Sequence, residues 1–167
     1  MMAKTTSEMV EEFSGFISYV QELGGLSEEH WNNPIAEGKW TLKDIVSHMM
    51  LWDKYFYEEG IEKITLGQPV TVKHLNFNEF NANAMEYAKS QTKDSMIKQF
   101  VECRSKIINV VSELPEEDRL KEYKDGDGKK FSIRGYLRGF VPHDKHHRKQ
   151  IDKFLKNIQA ANAPATK

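Results

Sequence analysis

Between Thr92 and Pro115 the residues Ile97, Phe100, Val101, Arg104, Ile107, Ile108, Val111 and Leu114, all but Arg104 apolar, recur at helical intervals. That period lines one face of an α-helix and cannot line one face of a strand. Three other segments carry the same period. Thr5 and Glu8 stand at capping-box spacing ahead of Val10, Phe13, Phe16, Ile17, Val20 and Leu23, and Gly24-Gly25 closes the run. Thr41, with Asp44 three residues on, caps a second run of Ile45, Met49, Trp52 and Phe56. Ser132 caps a last one of Ile133, Leu137, Phe140, His147, Ile151 and Phe154, in which Pro142 removes a backbone donor and predicts a kink. Four long stripes can share one core most simply as an all-α, antiparallel four-helix bundle.

The connectors are uneven. A polar stretch holding Trp31 and Pro34 joins the first two helices; Gly67 and Pro69 break the pattern between Gly60 and Asn76, and Phe77 to Ala88 forms a short, weakly amphipathic helix. From Glu116 to Lys130 the chain is polar, and Asp125-Gly126-Asp127-Gly128 predicts a loop or small hairpin. Residues 1–158 are expected to form one domain, with residues 159–167, alanine-rich and broken by Pro164, as a frayed tail.

A net charge of −1 gives no field that would draw the chain to nucleic acid or to a membrane surface. The N-terminal residues lack the apolar run of a signal peptide, no segment reaches membrane-spanning length, and the single cysteine, Cys103, is compatible with a reducing compartment. A cytoplasmic location is expected.

Three of the six histidines lie in the segment His143-Asp144-Lys145-His146-His147. His143 and His147 are four residues apart, so on a helix their imidazoles project from one face about one turn apart, whereas His146 points aside. His48 sits inside the apolar stripe of the second helix and is the available third donor. Three nitrogen ligands with one open position are the donor set of a catalytic divalent-metal centre. Zinc is the first choice, with nickel, iron and manganese open to the same set.

These residues also carry a family resemblance. Trp40-Thr-Leu-Lys-Asp-Ile-Val-Ser-His48 and His143-Asp-Lys-His-His-Arg-Lys-Gln-Ile151 resemble the corresponding segments of the DinB/YfiT-like superfamily of four-helix metalloproteins. The resemblance spans nearly the whole chain and implies an up-down-down-up or similar bundle with a metal in its core. It places one ligand on the second helix and an H-x-x-x-H pair on the last, here His48, His143 and His147. It also implies metal-dependent chemistry on a small-molecule substrate, by thiol-dependent S-transfer or by hydrolysis, and a homodimer.

A metal in such a site can ionise water for hydrolysis or hold a thiolate for transfer, and the reading leans to transfer with a low-molecular-weight thiol. The other class is a non-catalytic metal-binding or stress-related interaction module. No catalytic or substrate-binding residue is assigned. Asp53 and His146 are expected to be structural or solvated, Asp144 to face solvent or back another ligand, and Arg134 and Arg138 to form a solvated face that could meet an anion. Trp40, Trp52, Phe56 and Phe140 are expected in the core, with some of them lining whatever cavity reaches the metal, and Cys103 as an inert, buried thiol. The Asp125 loop is not a calcium loop, because Lys129 and Tyr136 stand where oxygen ligands are needed.

Overall fold

The computed structural model describes residues 4–162; residues 1–3 and 163–167, including the end of the expected tail, lie outside them. Four long helices form the bundle: α1 (Thr6–Leu23), α3 (Leu42–Phe56), α6 (Lys93–Glu113) and α8 (Ile133–Asn162). Between them lie the short helices α2 (Glu28–Asn32), α4 (Glu62–Thr65), α5 (Phe77–Lys89) and α7 (Glu116–Leu120), a π-helical turn over Tyr57–Ile61, and a two-residue hairpin of β1 (Tyr123–Lys124) and β2 (Lys130–Phe131).

The helix starts follow the capping residues. Thr5 with Glu8 and Thr41 with Asp44 each make a reciprocal capping box, Thr92 accepts from the Ser95 amide, and Ser132 Oγ accepts from the Gly135 amide at 2.9 Å. Each cap satisfies backbone donors that a helix start leaves open, worth typically about 1 kcal/mol. The hairpin turn passes through Gly128 at φ +78°, a conformation that side chains with a Cβ resist.

Pairings along the helices set their directions. Phe13 packs on Tyr136 and Tyr19 bonds to Asp152, so α1 and α8 run parallel. Lys43 reaches Gln91 and Asp53 reaches Arg104, so α3 and α6 are also parallel. Lys93 bonds to Gly24 while Arg104 bonds to Phe13, which makes α1 and α6 antiparallel. Trp52 packs on Phe140 and Phe56 on Tyr136, whereas His48 meets His143, so α3 and α8 are antiparallel. The order is up-down-down-up. That is the topology the family resemblance implies, and it refines the antiparallel bundle read from the stripes alone: two parallel consecutive helices, α3 and α6, need a long crossover, and residues 57–92 provide it. Within that crossover α5 returns along α3, with Ser47 bonded to the Ala84 carbonyl and Trp52 stacked on Phe80 at 3.9 Å.

The stretch expected as a polar connector contains α2, because Trp31 is fully buried and its indole N–H donates to the Leu23 carbonyl at 2.9 Å. Burial of one large apolar side chain stabilises by roughly 1.5–3 kcal/mol, enough to hold a five-residue helix that could not persist alone. α8 continues as a helix through Pro142 and extends to Asn162, past the expected start of the tail. No helix among the described residues is long and apolar enough to cross a membrane.

Candidate metal centre

His48 lies in the middle of α3, flanked on the same face by Ile45 and Trp52, and is 5% exposed. His143 and His147 face it from α8. Antiparallel packing of α3 on α8 brings the three sequence-selected imidazoles together: His48 Nε2 and His147 Nε2 each lie 3.2 Å from His143 Nε2. One ring nitrogen from each residue falls within 4.8 Å of the other two. For a tetrahedral ion with metal–nitrogen bonds of about 2.0–2.1 Å, ligand nitrogens stand about 3.3 Å apart, so the donor set fits.

The hydrogen bonds behind the rings strengthen that fit. His48 Nδ1 lies 2.8 Å from Asn81 Oδ1, and His147 Nδ1 lies 2.9 Å from Gln150 Oε1. An amide oxygen only accepts, so each Nδ1 carries the proton and each Nε2 presents a lone pair to the common point. His143 Nε2 can point one N–H at only one of its two neighbours. At least one facing lone pair is then left without a donor, an arrangement a cation resolves. Asn81 Oδ1 also accepts from Trp52 Nε1 at 3.4 Å, which agrees with its orientation.

Burial, followed by the neighbouring imidazoles, lowers the pKa of His48 to about 4 and that of His143 to about 3. Burial also lowers that of His147. All three are neutral near pH 7, the state in which imidazole can be a ligand.

Asp144 is corrected most. One helical step beyond His143 turns it by about 100°, into the bundle instead of toward solvent. It is 5% exposed, and its carboxylate accepts from Arg104 Nη1 at 2.8 Å and Nη2 at 3.2 Å. Asp53 receives Nε at 2.8 Å and Nη2 at 3.2 Å from the same guanidinium. Arg104 is 1% exposed, lies 3.5 Å over the Phe13 ring, and donates to the Phe13 carbonyl. Its place in the apolar series of α6 was the available signal for this buried cluster. Asp53 is structural, as expected, and both carboxylates are occupied.

Two clefts reach the imidazoles. One, of about 370 Å³, lies beside His48 and His143 and has aromatic walls that include Trp52, Phe56 and Phe140. The other, also about 370 Å³, lies beside His147 and is lined by Trp40, Lys39, Gln150 and the exposed His146. These four rings thus both pack on the core, Trp52 at 6% exposed, and line the clefts. Trp40 packs against both His48, at 5.0 Å, and His147, at 6.5 Å between ring centroids.

Arg134 binds Thr6 Oγ1 and the Lys4 carbonyl, tying down the start of α1, while Arg138 is exposed. The Cys103 thiol is half-buried and pushed up to about 11 by burial and by Asp53, which keeps it protonated. Asp125 accepts from the Asp127 and Lys129 amides and so caps its own turn. Asn81 and Gln150 were missed. Gln150, three residues after His147, could have been read from helical spacing, but nothing local marks Asn81.

Fold and donor geometry define a helical bundle with a three-histidine group in its core. The sequence profile of the DinB superfamily matches residues 18–151, and the chain belongs to that superfamily. Among solved structures, YfiT from Bacillus subtilis, described as "a probable metal-dependent hydrolase with an unusual four-helix bundle topology", aligns with a TM-score of 0.74. The alignment covers 95% of this chain and 91% of that one at 12% identity, a likeness of fold. No curated protein matches the chain.

Proposed function

We propose that the protein is a metal-dependent enzyme in which His48, His143 and His147 hold one divalent ion, zinc first and nickel, iron or manganese next, with a position open to a small nucleophile. The observation that carries this is the convergence of three Nε2 atoms, two of them fixed as lone-pair donors by Asn81 and Gln150. A bound divalent ion would supply Lewis acidity, lowering the pKa of a thiol or a water placed beside it. Asn81 and Gln150 hold the ligand tautomers, and Trp40 covers two of the rings against solvent.

Thiol-dependent S-transfer to a small electrophile is the first reading. No carboxylate lines either cleft among the described residues, and Asp53 and Asp144 are held by Arg104. Without a carboxylate base in either cleft the more acidic nucleophile is favoured: a thiol ionises near pH 8.5, far below water. Hydrolysis is the second reading, supported by the description given to YfiT.

The test starts with tag-free protein purified without chelators. About one metal per chain by elemental analysis, lost in His48→Ala, His143→Ala and His147→Ala, is the expected result. Metal-loaded protein then turns over an electrophile with a small thiol faster than it cleaves esters or amides. Absence of metal after reconstitution would overturn the centre, and metal without turnover would leave a binding module.

A further inference from the structure

Resting on the metal-centre reading, we propose that the aromatic cleft takes an uncharged aryl or branched-alkyl group of the substrate, with the reacting polar group turned to His48 and His143. Three properties of the cleft support this.

Its polar and apolar surfaces are segregated. Asn81, His48 and His143 form one hydrogen-bonded edge, and the remaining walls are the rings of Trp52, Phe56, Phe77 and Phe140. The Trp52 N–H is already turned to Asn81, so Trp52 offers its ring. Among the described residues, no lysine, arginine, aspartate or glutamate lines the cleft. A charged substituent there would lose hydration without gaining a partner.

Its size suits more than a methyl group. An apolar cavity of about 150 Å³ holds benzene, and this one measures about 370 Å³. That is room for a substituted ring or a short branched chain. Phe77, at the start of α5, is 61% exposed despite lining the cleft, and an apolar guest would cover part of that exposed ring.

The third property is Gly139. It lies inside α8 on the cleft wall, and a Cβ built there would meet nothing within 4 Å. Glycine in a helix interior costs roughly 0.5–1 kcal/mol against alanine, and packing does not demand it here. Its absent side chain leaves the cleft open, so a larger residue can fill the space without disturbing the bundle.

The test uses zinc-loaded full-length protein and two probes with the same metal-binding head, acetohydroxamate and benzohydroxamate, measured by calorimetry. Benzohydroxamate is expected to bind about tenfold tighter or better, the gain from burying one ring. In Gly139→Leu that advantage should disappear while zinc content, thermal stability and acetohydroxamate affinity persist. Equal affinity of the two probes in the wild type, or an advantage that survives Gly139→Leu, overturns the proposal. A second readout needs no metal: quenching of tryptophan fluorescence by neutral 2-naphthol in the zinc-free protein. Saturable quenching abolished by Gly139→Leu supports the aryl site even if no zinc is retained, in which case the metal centre alone fails. Quenching that is absent or unchanged in the variant overturns the site.

Discussion

The bundle buries two polar clusters, and they solve their burial in opposite ways. Around Arg104 opposite charges meet: two carboxylates accept four hydrogen bonds from one guanidinium. Around His143 three neutral rings turn like atoms toward each other, with Nε2 facing Nε2 at 3.2 Å twice over. In the first cluster the guanidinium makes five hydrogen bonds, all within the chain. The second leaves at least one lone pair without a donor, which the proposed cation would satisfy. Burial of polar groups therefore does not by itself point to a functional site; lone pairs converging on one point are the feature the proposed metal centre rests on.

Breaking the closed cluster should have the largest effect. Arg104→Met leaves two carboxylates buried without a counter-charge and is expected to destabilise the fold by about 3–5 kcal/mol in urea unfolding. Replacing Asp53, Arg104 and Asp144 together by apolar residues of similar size should restore most of that loss, because the penalty comes from the unpaired charges. If the triple variant is as unstable as Arg104→Met, the cluster holds the fold by some means other than charge pairing.

The open cluster should respond to metal instead. With zinc at about 1,000 times its dissociation constant, the wild type gains roughly 4 kcal/mol of stability. His48→Ala, His143→Ala and His147→Ala should gain far less and, without metal, unfold close to the wild type. Comparable zinc stabilisation in the wild type and all three variants would place the ion elsewhere.

Acidification separates the two regions by sign. The histidines titrate near 6.5 when unfolded but near 4 for His48 and near 3 for His143 when folded. Their contribution is full above pH 6.5 and is lost as pH falls toward 4 and below. Asp144 does the reverse: burial, only partly offset by an Arg104 shared with Asp53, raises it from 3.8 to about 6. Its contribution is full below 3.8 and is lost as pH rises through about 6. In zinc-free wild type the three imidazoles dominate, so the urea midpoint should fall between pH 6.5 and 4. In the triple histidine-to-alanine variant it should level or rise. The same fall in both proteins would assign it to other groups.

The contrast between the clusters also explains what could be read in advance. Helix existence, caps at Thr5, Thr41 and Ser132, and the facing of His143 and His147 depend on neighbours three or four residues away, so spacing exposes them. Arg104 was visible as a charge in an apolar stripe, but its partners Asp53 and Asp144 lie 51 and 40 residues distant. Nothing local fixes such a pairing. Asp144 was misplaced because it was read only against the His143 face, although a helix in a bundle has neighbours on two sides: α8 faces α3 through His143 and meets α6 through Asp144. Which of Trp40, Trp52, Phe56 and Phe140 line a cleft as well as the core stayed open for a related reason, since a periodic apolar position shows that a side chain points inward but not whether a cleft lies there.

The smallest effect should come from the amides behind the rings. Gln150 bonds to the back of His147, and Asn81 to the back of His48. Such partners fix the ring tautomer and orientation, and their loss typically costs about 10- to 100-fold in metal affinity. Gln150→Met keeps length and helix propensity while removing the acceptor, so His147 can carry its proton on Nε2 and withdraw its lone pair. Gln150→Glu keeps an acceptor and should hold or improve zinc affinity. Asn81→Leu should weaken zinc as Gln150→Met does, with unfolding in the absence of metal little changed at Gln150. Competition titrations against a chromophoric chelator measure each value. If Gln150→Met binds zinc as the wild type does, the amides only satisfy the rings, and the three imidazoles alone organise the open cluster.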